Sequence, residues 1–124
     1  MINKIGQVML YVNNQEASRD FWTEKLGFEV IADVTNGPMR WIEIAPKGAA
    51  TSIVLHSKDF VAQMNPEMNL GTPSIMYFTD HFEELYSDLK NKNIKVGDVM
   101  ALPSGRVFNF ADNEDNYFAI SEKK

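Results

Sequence analysis

Apolar and polar residues alternate with a period of two in eight short stretches of the chain, and two stretches between them switch to a helical period. "IGQVMLYV" (5–12) is the first strand, interrupted near its start by the amide of Gln7. Asn13-Asn14 opens a helix running to about Leu26, with Ala17, Phe21, Trp22 and Leu26 on its apolar face and Gly27 as its stop. "FEVIADV" (28–34), "RWIEIAP" (40–46) and "TSIVLH" (51–56) read as strands, with "NGP" (36–38) as a turn. The same order then recurs: a strand over 73–79, a helix over 80–92 with Phe82, Leu85 and Leu89 spaced for burial, and strands over 94–100, 105–112 and 116–122. The pattern therefore predicts one α+β domain over 1–124 built from two βαβββ modules, at about 3–56 and 72–122. A linker joins them over about 57–71. Its Phe60, Val61, Met64 and Met68 imply that it packs against something, a partner subunit being one option.

Residue-level echoes support the duplication. "QVMLYVNNQE" lies over "SIMYFTDHFE", matching Gln7 with Ser74 and Glu16 with Glu83, and "RWIEIAP" lies over "RVFNFAD". Asn13 followed by Glu16, and Asp80 followed by Glu83, have the spacing of a capping box at each helix start.

Strand alternation sorts the residues of each module onto two faces. Val8, Leu10, Ile42, Ile44, Ile53 and Leu55 in the first half, with Ile75, Tyr77, Phe108, Phe110, Phe118 and Ile120 in the second, form the face that covers a helix. The opposite face mixes aromatic and thioether groups with isolated polar ones: Gln7, Met9, Tyr11, Trp41, Glu43 and His56, then Ser74, Met76, Phe78, Asn109 and Tyr117. A washed surface is seldom so aromatic, and a packed core seldom tolerates unpaired polar groups that each cost about 1–3 kcal/mol. A mostly apolar cavity with a few polar contacts accounts for both, and these eleven residues are the candidate ligand-binding set.

Composition narrows the function classes. A formal charge of −5 with no basic stripe argues against nucleic acid as a partner. Lys90, Lys92 and Lys95 fit the end of the second helix, where cations complement the dipole. No cysteine is present, so disulfides, thiolate metal sites and cysteine nucleophiles drop out. With no signal-like segment and no apolar run near the roughly 20 residues that span a bilayer, the expectation is a cytoplasmic protein with no membrane partner.

The paired modules, the run "FWTEKLGFEV" and the closing "RVFNFADNEDNYFAI" together resemble the glyoxalase / bleomycin-resistance / extradiol-dioxygenase (vicinal oxygen chelate) superfamily over almost the whole chain. The turn "DNEDN" (112–116) places Asp115 where the family often has Gly, and a left-handed conformation is open to Asp there at modest cost. The resemblance implies a curved eight-stranded sheet forming a cup with helices outside, and commonly a homodimer. It also implies four metal-ligand points, which fall here on Gln7, Val54, Ser74 and Ala119. Val54 and Ala119 carry no donor atom and Ser74 only a hydroxyl, so neither a metal nor another cofactor is expected at those points. A relocated site from His56, Glu43 and Gln7 would be a thin set.

Glu43, beside Trp41 on an apolar wall, is the one weak candidate for a catalytic base; its bland alternative is an ion pair with Arg40, Arg106 or a lysine. Neither histidine, His56 nor His81, has the partners of a nucleophile triad. Three readings remain. The first is a metal-free protein holding a small aromatic or amphipathic molecule, as bleomycin-resistance proteins do. The second is a lyase, isomerase or dioxygenase of the same superfamily, and the third a structural domain whose cup is filled by side chains. Enzymatic activity is an open question that leans towards none.

Overall fold

The computed structural model describes residues 1–122, which divide into two compact units, Met1–Pro73 and Ser74 onward. The first unit runs β1 (Gln7–Val12), α1 (Gln15–Asp20, continued by a π-helical turn over Phe21–Lys25), β2 (Glu29–Asn36), β3 (Met39–Ala45), β4 (Ser52–Ser57) and α2 (Lys58–Met64). The second runs β5 (Met76–Thr79), α3 (Phe82–Asn91), β6 (Met100–Leu102), β7 (Gly105–Ala111) and β8 (Tyr117–Glu122). Each holds one four-stranded mixed sheet, ordered β1-β4-β3-β2 and β5-β8-β7-β6, so the duplicated α+β organisation is present in the pairing itself. In both, the first and last strands are parallel and the rest antiparallel.

The helix-side faces are the cores. Leu10, Ile42, Ile44, Ile53 and Leu55 are buried in the first sheet, as are Phe108, Phe110, Phe118 and Ile120 in the second. Helix α1 is fastened over the ends of β3 and β4 by Gln15, whose Nε2 donates to the carbonyls of Arg40 (2.7 Å) and Leu55 (3.0 Å). Trp22, 1% exposed, packs on Phe28 with ring centroids 5.0 Å apart. In the second unit Phe82 and Tyr86 of α3 stand edge-on to Phe108 at 5.3 and 4.8 Å.

The helix ends show why the chain turns where it does. At the end of α3, Ile94 N–H bonds the Leu89 carbonyl and Asn93 N–H that of Lys90, a Schellman closure with Asn93 left-handed at φ 61°. The first helix closes on Gly27 at φ 77°, with Phe28 N–H reaching Trp22 O, one residue wider because its last turn is π-helical.

Four expectations are corrected. The first cap is Asn14, whose side chain accepts from Ala17 N–H, rather than an Asn13–Glu16 box. The N-cap of α3 is His81, without a side-chain capping bond, rather than Asp80. Glu16 and Glu83 instead reach repeat-related arginines: Arg40 Nη1 meets Glu16 at 3.1 Å and Arg106 Nη1 meets Glu83 at 2.8 Å. The linker contains α2, capped by Ser57 accepting from Phe60 N–H, which the Pro66 and Gly71 punctuation obscured. The strand expected over 94–100 reduces to a single bridge between Val96 and Phe110, made by Gly97 N–H to Asn109 O and Ala111 N–H to Lys95 O, and to Met100–Leu102.

The turn over 112–116 closes on a buried side chain. Asp112 Oδ1 accepts from the N–H groups of Glu114 and Asn116, both at 2.9 Å, and Oδ2 from Asn116 Nδ2. Asp115 is left-handed at φ 59°, as its place in the turn requires. No helix among the described residues is long and apolar enough to cross a membrane.

Candidate functional site

Because β1 and β4 run parallel, their residues pair level by level: Gln7 with Ser52, Met9 with Val54 and Tyr11 with His56. The antiparallel β3 adds Glu43 level with Val54 and Trp41 level with His56, and β2 adds Ala32 and Val34 beside them. Alternation puts all of these on the face away from α1. Two rows result, Val34–Trp41–His56–Tyr11 and Ala32–Glu43–Val54–Met9, followed by the Ser52–Gln7 pair.

The first row is aromatic. Trp41, His56 and Tyr11 are all half-buried, and the Tyr11 and His56 rings stack at 6.1 Å with planes 28° apart. Tyr11 O–H reaches Met68 Sδ at 3.7 Å, so the segment after α2 folds back against this row. Burial disfavours the imidazolium and lowers the His56 pKa.

The second row carries the one carboxylate of these rows and its hydrogen-bonded neighbours. Ser52 Oγ donates to Glu43 Oε2 at 2.5 Å, and Gln7 Nε2 donates to the same oxygen at 3.3 Å. Among the described residues Glu43 forms no ion pair. Arg40 lies three residues away on the strand and points to the helix side, where it holds Asp33 and Glu16. Arg106 holds Glu122 and Glu83. The sequence reading places Ser52 on this face but not among the candidate ligand-binding residues. The two-residue spacing to Val54 gives its face, and its bond to Glu43 comes from the strand register.

In the second unit the candidate residues also share one face. Met76 is level with Ala119 and Ala119 with Asn109; Phe78 is level with Ser121, Ser121 with Val107 and Val107 with Met100. Met76, Phe78, Asn109 and Tyr117 are exposed, Phe78 to 71%, and Ser74 is exposed just before β5. Tyr77, on the opposite side, has its hydroxyl pKa raised by burial and then by the charge of Asp112.

The donor set does not fit a divalent ion of the kind the resemblance implies. Register places Ser52, not Val54, level with Gln7, but its hydroxyl is committed to Glu43. Among the described residues of these rows Glu43 is the only anionic donor, beside one amide and one hydroxyl, too few for a first shell. Among the described residues no three His, Cys, Asp or Glu side chains are grouped to hold a metal. A separate open depression of about 540 Å³ lies beside α3, lined by Thr79, His81, Glu84, Leu85 and Asp88.

Comparison with known proteins places the chain among relatives. The family model described as Glyoxalase/Bleomycin resistance protein/Dioxygenase superfamily matches residues 4–120. The uncharacterised protein YetH of Bacillus subtilis (strain 168) is 34% identical over 124 residues, covering 98% of this chain and 100% of that one. The crystal structure of TnmS3, an antibiotic binding protein from Streptomyces sp. CB03234, superposes with a TM-score of 0.85 at 28% identity, covering 99% and 98% of the two chains. A superfamily member from Sphaerobacter thermophilus DSM 20745 gives 0.84 at 25% identity, covering 98% of each.

Proposed function

The chain belongs to the Glyoxalase/Bleomycin resistance protein/Dioxygenase superfamily, and from that premise we propose that it is a metal-independent binding protein for a small aromatic or amphipathic molecule. The observation that carries this reading is the half-buried row Trp41–His56–Tyr11, which lies on the face opposite the helix-covered core and so offers ring faces to a flat guest. The antibiotic-binding relative supports the same class of role. Metal-dependent lyase, isomerase or dioxygenase chemistry needs a Lewis acid on adjacent oxygens, and the donor set around Glu43 is ill suited to hold one.

The test is a thermal-shift and fluorescence titration with neutral polycyclic probes such as 2-(hydroxymethyl)anthraquinone and 2-naphthalenemethanol. Binding raises the melting temperature and quenches tryptophan emission, and Trp41→Ala weakens both responses while the free protein stays folded. Absence of any response to these neutral probes and to their cationic and anionic counterparts overturns the reading. The protein is further proposed to act as a homodimer, supported by exposed Met76, Phe78 and Met100 on one sheet face. Light scattering that returns the mass of a single chain at micromolar concentration overturns that.

A further inference from the structure

We propose that Glu43 selects the charge of the ligand, its free Oε1 taking a protonated amine carried by the aromatic guest; this rests on the binding role proposed above. Oε2 of Glu43 is already occupied by Ser52 Oγ and Gln7 Nε2, which fixes the side chain and leaves Oε1 as its open acceptor. The bond from Gln7 Nε2 also fixes the orientation of that amide, because only the nitrogen can donate to a carboxylate. Gln7 Oε1 is left as a second acceptor. Among the described residues neither oxygen has a partner, and both call for an N–H donor. An ammonium suits either, and a carboxylate suits neither.

Charge points the same way. The rows on this face of the first unit contain no lysine or arginine, because Arg40, the basic residue of β3, faces the helix side. His56 supplies no compensating charge, since burial lowers its pKa. Glu43 is half-buried between Ala32 and Val54, so solvent screens it only in part. Trp41, two residues along the same strand and on the same face, adds a ring beside which a cation is favourable.

The experiment compares three probes of one shape: 2-naphthylmethylamine, 2-naphthalenemethanol and 2-naphthoate, titrated calorimetrically at neutral pH. The ammonium is expected to bind about ten-fold more tightly than the alcohol, as one charge-assisted hydrogen bond allows, and the carboxylate more weakly than either. Glu43→Gln, with its fold checked by circular dichroism, should bring the ammonium-to-alcohol ratio close to one. Gln7→Met removes the second acceptor from an exposed position and should lower the ratio part of the way. If the ammonium binds no better than the alcohol, charge selection is overturned while the aromatic-binding role stands. If the ten-fold preference survives Glu43→Gln, the overall negative charge is responsible and the assignment to Glu43 is wrong. If none of the three binds, both proposals fall together.

Discussion

The two tryptophans make opposite predictions. Trp22 is enclosed by Phe21 and Phe28, so Trp22→Ala should cost about 3–5 kcal/mol in a urea titration, the range for emptying a large aromatic site. Trp41 lies half-buried on the open face, and Trp41→Ala should cost about 1 kcal/mol or less. Asp112 should behave as a core residue despite its charge. Asp112→Ala strands the N–H groups of Glu114 and Asn116 and should cost about 1–3 kcal/mol. The pH dependence follows from burial. His56 in the native state binds a proton less readily than in the unfolded chain, so its contribution to stability falls as pH drops below its ordinary 6.5. Denaturant midpoints measured from pH 8 to 5 should decline less in His56→Gln. Asp112 has the opposite sign: burial raises its carboxyl above 3.8, so the native state holds that proton more tightly and loses this advantage as pH rises through the window above 3.8.

At the scale of elements, the helices are joined to their sheets by a device the sequence displayed without revealing its use. Glu16 and Glu83 had the spacing of capping residues, yet each crosses to an arginine at the second position of β3 or β7. Those arginines also hold a strand carboxylate, Asp33 or Glu122, through two guanidinium nitrogens. The local pattern could not separate cap from clamp, because a capping box and an outward-reaching glutamate share one spacing. Arg40→Ala and Arg106→Ala should each lower the thermal midpoint, by more in dilute buffer than in 1 M salt. Asn14→Ala removes the true cap of α1 and should cost about 1 kcal/mol. Helix α2 was legible in retrospect from Ser57 and the spacing of Phe60, Val61 and Met64, but the proline and glycine beyond it read as linker. The limits of β6 depend on where the chain pairs with β7, once at Val96 and again from Met100, which is a tertiary fact.

For the molecule as a whole, the repeat was the most readable feature, because two weak copies of one period reinforce each other where each alone is ambiguous. The face assignments followed from alternation and hold at Leu10, Ile42, Phe108 and Phe110, all buried. What alternation could not supply was the hydrogen bonding within a face. It put Gln7 and Glu43 on one side but did not show that Ser52 would join them at a shared oxygen. The sequence overlay also sets Glu43 against Asn109, so corresponding places in the two halves differ by a full charge. A duplicated scaffold can distribute its burdens unevenly in this way. One half holds a carboxylate at that place, while its twin is neutral there. Changes of specificity are then expected to accumulate in a single half, with the other serving as ballast.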